Sequence, residues 1–224
     1  QEIKENLNSL TTPNDEYAVY WMELPKREDS IDTRLFSVPL NISKALTETL
    51  YKNLDTIIFT SATLGIRGKF FYFLQRMGLE KMPSARMKTL ALGSPFNFSK
   101  QALVCVPQFL PSPKSSEFQE EVNKFLKDLV CKVKRGTMAL FTSHQMLNQT
   151  YKNIKTDLQS EGILLLAQGI NGTRASITEQ FKLDPNSMLL GTNSFWEGID
   201  LPGETLQILG IVRLPFAVPS EPLV

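Results

Sequence analysis

Residues Thr137–Ala167 read TMALFTSHQMLNQTYKNIKTDLQSEGILLLA, and this stretch decides the fold. Thr137–Phe141 is a short apolar run with the length of a buried strand, and it breaks into the hydroxyls of Thr142 and Ser143. Ser143 is a helix-starting residue. Leu147, Tyr151, Ile154 and Leu158 follow at three- and four-residue steps, which makes one buried helical face. Gly162 closes that helix and Ile163–Ala167 turns apolar again. The same alternation continues downstream with a helix over Arg174–Lys182 and strands over Ser187–Leu190 and Leu206–Val212. Upstream, Ser116 and Gln119 predict a capping box for a long helix ended by Gly136. Its buried face carries Phe118, Val122, Phe125, Leu126, Leu129 and Val133. Leu103–Pro107 reads as a strand and Pro107–Pro113 as a loop. From residue 103 onward the alternation predicts an α/β fold, a mainly parallel sheet with helices on both faces.

The first hundred residues are less regular. The first twelve are polar and read as a frayed end. Tyr17–Glu23 and Leu35–Leu40 read as strands on either side of a charged turn, Lys26–Asp32. Ser43 is expected to cap a short helix carrying Leu46, Leu50 and Leu54. Thr56–Thr60 (TIIFT) has the shape of a buried parallel strand running into Ser61-Ala62-Thr63. Lys69–Met77 reads as an aromatic-rich helix and Pro83–Arg86 as a connector.

Composition narrows the function classes. The 224 residues hold 24 basic and 23 acidic side chains, 42% hydrophobic and 21% charged residues, ordinary for a globular protein. The length suits one large domain, or one domain and part of another. Two cysteines and one histidine exclude a disulfide-dense scaffold, a four-cysteine metal site and any zinc site needing two histidines. No apolar run approaches the roughly 18–20 residues of a membrane span, and no signal-peptide pattern opens the chain, so an intracellular protein is expected. A net charge of +1 gives no bulk reason to expect nucleic acid, so such a role must rest on local features.

Those local features lie where strands end. Open parallel sheets bind ligands at the carboxyl ends of their strands. Three expected ends carry hydroxyl or amide side chains: Thr60–Thr63, Thr142-Ser143-His144 and Gly191-Thr192-Asn193-Ser194. Singly, each is also an ordinary turn or cap. In register on one sheet, they suit phosphate oxygens of a nucleotide or a nucleic-acid backbone. The segment Leu189–Glu204 (LLGTNSFWEGIDLPGE) adds Trp196 and two carboxylates, Glu197 and Asp200, flanking Gly198. Unpaired carboxylates are costly to bury, so they are expected to face a cleft or an arginine-bearing surface.

These segments together resemble a known family. Thr60-Ser61-Ala62-Thr63-Leu64 looks like motif III of superfamily-two helicases, and Ala139-Leu140-Phe141-Thr142-Ser143 like motif IV. Ser194-Phe195-Trp196-Glu197-Gly198-Ile199-Asp200 is similar to motif V of the XPD/DinG branch. Gly93-Ser94-Pro95-Phe96-Asn97-Phe98 and Arg213–Ser220 (RLPFAVPS) also look like DinG-type signatures. The resemblance spans residues 17–224 and implies the C-terminal motor region of a DinG-like, ATP-dependent DNA helicase. Residues 66–224 would be the second RecA-like motor domain, and residues 1–65 would complete or bridge from the first. By that resemblance Ser61 and Thr63 couple hydrolysis to movement. Thr142, Ser143, Thr192, Asn193 and Trp196 contact single-stranded DNA. Glu197, Gly198 and Asp200 lie near the nucleotide cleft, where the two carboxylates link DNA to nucleotide state. ATP and Mg2+ would be held mainly by the first motor domain, movement would run 5′ to 3′, and the setting would be DNA repair in the bacterial cytoplasm or nucleoid. An iron–sulfur cluster or an exonuclease domain, present in some relatives, would lie upstream.

The sequence holds no G-x-x-x-x-G-K-[ST] loop; Gly65-Ile66-Arg67-Gly68-Lys69-Phe70 has the wrong spacing. Asp15-Glu16 lacks the Ala-His that would make it a magnesium-binding box. Transition-state arginines are expected beyond Val224, so residues 1–224 alone are expected not to hydrolyse ATP. Several features keep two readings. Arg67–Lys88 carries Arg67, Lys69, Arg76, Lys81, Arg86 and Lys88 around Phe70-Phe71-Tyr72-Phe73, which suits either single-strand binding or a packed helix with a solvated basic face. Trp196 either stacks on a base or wedges its loop against the core. Gln168-Gly169 either touches DNA or only turns the chain. His144 reads as a helix-start residue, and Cys105 and Cys131 as buried thiols. A non-catalytic α/β module that binds nucleic acid or protein is the alternative to the motor.

Overall fold

The computed structural model describes residues 10, 17–25 and 33–216. The expected frayed end, the Lys26–Asp32 turn, Asp15-Glu16 and the end of the Arg213–Ser220 signature lie outside them in whole or part. Packing divides the chain into two compact units, Gln1–Leu103 with Val218–Val224, and Val104–Ala217. The division expected at residue 65 rests on motifs, a different criterion from packing.

In the first unit, strands β1 (Ala18–Glu23) and β2 (Arg34–Pro39) pair antiparallel, as their β-forming residues predict. Trp21 lies opposite Phe36, and their rings stack with centroids 4.7 Å apart. Helix α1 (Ser43–Leu46) continues as a π-helical turn over Thr47–Tyr51. Ser43 is not its cap: Asn41 Oδ1 accepts from the Ser43 N–H at 2.8 Å and does that work instead. Leu54 is exposed; the buried anchor is Tyr51, whose hydroxyl donates to the Met77 carbonyl at 2.8 Å. Helix α2 (Phe71–Arg76) is shorter than the aromatic run, and helix α3 (Phe98–Gln101) is a single turn.

Two expected strands are absent. Thr56–Thr60 and Leu103–Pro107 are irregular, with Ile58 84% and Leu103 88% exposed. Their apolar composition suits a strand, but a strand exists only with a ladder partner, and no described segment pairs with either. Cys105, in the second of them, is accordingly exposed rather than buried.

The second unit is the α/β body. It holds α4 (Phe118–Val133), β3 (Thr137–Leu140), α5 (His144–Ser160), β4 (Leu165–Ala167), α6 (Arg174–Leu183), β5 (Met188–Gly191) and β6 (Ile208–Ile211). The four strands form a parallel sheet in the order β4-β5-β3-β6. Side chains alternate across it. Ala139, Phe141, Leu165, Ala167, Met188 and Leu190 meet the α4 and α5 stripes, where Phe118, Val122, Leu126 and Val130 face Leu147, Tyr151, Ile154 and Leu158. Met138, Leu140, Leu166 and Leu189 point the other way, onto Ile177 and Phe181 of α6. Fully burying a residue such as Phe181 or Leu158 contributes about 1.5–3 kcal/mol, so these two faces carry most of the unit's stability.

The helix ends differ from expectation at α4. Ser116 and Gln119 form no capping box: Ser115 Oγ accepts from the Glu117 N–H at 3.3 Å. Gln119 instead donates to Asn123 Oδ1 and Thr150 Oγ1, both at 2.9 Å, joining α4 to α5. Lys134, in the left-handed region at φ 49°, ends the helix before Gly136. Gly136 serves packing, since a Cβ there would collide with the Thr205 carbonyl. Ser143 caps α5 as expected, accepting from the Met146 N–H at 3.4 Å, and Gly162, at φ 71°, follows it.

Candidate functional site

The parallel sheet brings three strand ends side by side: Gln168 after β4, Thr192 after β5 and Thr142-Ser143-His144 after β3. Thr60–Thr63 does not belong to this edge. It sits in the other compact unit and follows no strand, which corrects the expectation of three hydroxyl-bearing ends on one sheet. There, Ser61 Oγ and Thr63 Oγ1 lie 3.1 Å apart, and the Thr63 N–H donates to Ser61 Oγ at 3.2 Å, a local hydroxyl turn. Thr60, Ser61 and Ala62 line a cleft of about 980 Å³ within that unit, together with Arg86 and Lys88.

At the sheet edge, Gln168 Oε1 accepts from the Thr192 N–H at 2.9 Å and from the Thr192 hydroxyl at 3.0 Å. The amide oxygen can only accept, so the hydroxyl proton goes to it. The Thr192 oxygen is then left to accept from His144 Nε2, 3.3 Å away, which places the imidazole proton on Nε2. Gln168, Thr192 and His144 thereby join β4, β5 and α5 in one polar chain. Thr192 is buried, whereas Thr142, Ser143 and His144 are exposed. Behind them, Asn171 accepts from the Ala167 N–H at 2.9 Å and donates to the Tyr151 hydroxyl at 3.2 Å, which pins the β4 turn to α5.

The loop after β5 carries the remaining candidates. Asn193–Phe195 forms a 3-10 turn, and Phe195 is buried beneath it. Trp196 packs with Ile199, Leu201 and Leu206 against the cluster around Phe195, the wedge arrangement of the two weighed for it. Its Nε1 is buried and meets no acceptor among the described residues. Glu197, Gly198 and Asp200 are exposed, with Gly198 in the left-handed region at φ 70°. Neither carboxylate makes a side-chain hydrogen bond or ion pair among the described residues, so both are free to meet a partner surface.

Arg174 escaped the sequence reading. It opens α6 behind the Thr173 cap, and its Nη2 donates to the Glu197 carbonyl at 2.7 Å and the Gly198 carbonyl at 2.9 Å. The guanidinium also lies over the Phe195 ring, 5.7 Å from its centroid. Its position just after a capping threonine was the available signal, but the partner loop is more than twenty residues away. Gln168 was weighed and His144 read as a helix start. His144 does start α5, and both also belong to the polar chain.

The arrangement can contact an anion with hydroxyl, amide and helix-end N–H donors, but it offers no metal cage. No group of three or more His, Cys, Asp or Glu side chains among the described residues could hold a metal ion. With no phosphate-binding loop in the sequence either, the residues present do not fit a resident Mg2+–nucleotide, and no chemical step is routed through one. No helix among the described residues is long and apolar enough to cross a membrane.

Residues 126–224 match the helicase C-terminal domain family. Over its whole length the chain is 30% identical to the "3'-5' exonuclease DinG" of Bacillus subtilis and 32% identical to the "ATP-dependent DNA helicase YoaA" of Haemophilus influenzae. Over 92% of its length it is 30% identical to the "ATP-dependent helicase DinG" of Mycobacterium tuberculosis. The chain spans 24%, 33% and 30% of the length of these three relatives.

Proposed function

With a helicase C-terminal domain over residues 126–224 and DinG-like sequence throughout as the premise, we propose that this chain is the C-terminal motor region of an ATP-dependent helicase acting on single-stranded DNA. The observation that carries the proposal is the shared edge of β4, β5 and β3. It sets Thr142, Ser143 and Thr192 beside the loop bearing Asn193 through Asp200. Hydroxyls and helix-end N–H groups hold phosphates without reading bases, which suits a translocating motor.

In this reading Thr142, Ser143 and Asn193 track the DNA backbone. Thr192 orders the edge through Gln168 and His144, and Trp196 backs the loop. Glu197 and Asp200 face the first motor domain, where a carboxylate can position a mobile arginine. Ser61 and Thr63 couple hydrolysis to movement from the first-domain side, so the motif boundary near residue 65 marks the functional division. ATP and Mg2+ are held mainly by the first motor domain. Movement runs 5′ to 3′, and the bacterial cytoplasm is the setting. An iron–sulfur cluster, where the complete protein has one, lies upstream.

A second reading joins this motor to an upstream exonuclease domain; the name of the Bacillus subtilis relative favours it. One experiment separates the outcomes. The complete protein is incubated with ATP, Mg2+ and duplexes bearing a 5′ or a 3′ single-stranded tail. Unwinding of the 5′-tailed duplex is expected. ATP-independent shortening of strands from their 3′ ends would favour the exonuclease reading. Absence of both unwinding and DNA-stimulated ATP turnover would overturn the motor.

A further inference from the structure

The loop that carries Glu197 and Asp200 does not hold its own shape by local bonds alone. Its short turn is closed by the Phe195 N–H on the Thr192 carbonyl at 2.8 Å and the Trp196 N–H on the Asn193 carbonyl at 3.2 Å. Past Trp196, no further backbone bond closes the turn among the described residues. The next two carbonyls, Glu197 and Gly198, are both taken by Arg174 Nη2. At Gly198 the chain sits at φ 70°, and a Cβ there would lie 3.3 Å from that same nitrogen. The left-handed turn and the guanidinium therefore fit each other. Phe195 beneath is fixed against Gly191 and gives the guanidinium a ring face to rest on.

We propose that Arg174 is the positioning residue of this loop: by gripping two successive carbonyls it sets the turn at Gly198 and so the directions in which the Glu197 and Asp200 carboxylates leave the surface. Because Arg174 opens the helix that follows β4, the grip also ties the β4 turn, with Gln168, to the β5 loop. Movement of one strand-end loop is thereby passed to the other. Lysine keeps the charge and has donors enough for both carbonyls, as the single Nη2 does, but lacks the planar guanidinium that rests on the Phe195 ring. The functional consequence rests on the motor reading; the structural one does not.

Trp196 reports the grip directly. Trp21→Phe leaves Trp196 as the only tryptophan, since the chain has two. In that background, Arg174→Ala and Arg174→Gln are expected to red-shift Trp196 emission and raise its acrylamide quenching about twofold, as a locally opened loop does. Far-UV circular dichroism should stay unchanged, and Arg174→Lys should fall between. Quenching in Arg174→Gln equal to that of the parent would overturn the proposal, as would loss of the domain's whole helical signal in that variant. Should Arg174→Ala alone unfold, Arg174→Gln decides. In the complete protein, Arg174→Gln is expected to lower the kcat of DNA-stimulated ATP hydrolysis about tenfold with KM for ATP little changed. Absence of ATP turnover in the wild-type complete protein would sink the motor reading while leaving the fluorescence result to judge Arg174. Normal kcat in Arg174→Gln would limit the grip to loop shape and overturn its functional half.

Discussion

Gly191 lies so close beneath Phe195 that a Cβ at position 191 would fall 2.7 Å from both Cβ and Cγ of that phenylalanine. The last residue of β5 must therefore lack a side chain for the buried ring to seat the loop that follows. Gly191→Ala forces either the strand or the ring to move, an overpacking change that costs about 1–3 kcal/mol. The expected result is a lower urea midpoint together with changed Trp196 emission. An unaltered midpoint would mean the ring has room that the structure does not show.

Thr192 is the middle of the polar chain from Gln168 to His144. Thr192→Val keeps the backbone bond to Gln168 but removes the hydroxyl that donates to Gln168 Oε1 and accepts from His144, a loss of about 0.5–1.5 kcal/mol in stability. If the strand-end edge meets a DNA backbone, the same change weakens binding of a fluorescent oligo(dT) several-fold, as anisotropy would read it. Lowered stability with undiminished oligo(dT) binding would place the DNA elsewhere.

The aromatic run in the first unit divides sharply. Phe73 packs edge-on against Phe59 at 5.3 Å and Phe70 lies against Gly65, while Phe71 and Tyr72 are 70% and 67% exposed. Two outward rings among arginines and lysines suit base stacking, worth about 1–3 kcal/mol per base. The double variant Phe71→Ala, Tyr72→Ala is expected to weaken single-strand binding about tenfold or more. Unchanged binding would leave a solvated basic face as the role of this helix.

The two cysteines should react differently. Cys105 is exposed. Cys131 is half-buried against the α4–α5 core, and its thiol is pushed above the ordinary range, first by burial and then by the Glu161 carboxylate. A raised thiol pKa means less thiolate at any pH below it, and the thiolate is the nucleophile. Iodoacetamide at pH 8 is expected to modify Cys105 first, with Cys131 gaining reactivity only as pH climbs. Mass spectrometry of tryptic peptides over time reads the order, and faster labelling of Cys131 would contradict the burial seen here.

What was legible in the sequence follows from where its partners lie. The stripe of α5 and the runs of β3, β4 and β5 were readable because each buries against another segment of the same chain, so pattern and structure coincide. Thr56–Thr60 and Leu103–Pro107 carry equally good strand composition and form none, because composition cannot supply a neighbouring strand. The capping box expected at α4 did not form because no side chain caps that helix: Ser115 bonds the Glu117 N–H just ahead of it, and Gln119 is drawn across to Thr150. Within the candidate site, Thr142, Ser143, Thr192 and the Glu197–Asp200 loop stood out as polar breaks after apolar runs. Arg174 and the Gln168–Thr192–His144 chain did not. Their partners are 23 to 48 residues away in sequence and meet only when the parallel sheet aligns its strand ends.

The central claim is that the Glu197–Asp200 loop serves a DNA-driven motor, and Asp200→Ala in the complete protein tests it most directly. ATP hydrolysis is measured against rising single-stranded DNA, with DNA binding measured in parallel. The wild type is predicted to hydrolyse ATP faster with DNA present, and Asp200→Ala to lose most of that stimulation while binding DNA nearly as before. Full stimulation in Asp200→Ala, or equal loss of binding and hydrolysis, would contradict the coupling role. A wild-type protein indifferent to DNA would contradict the motor itself.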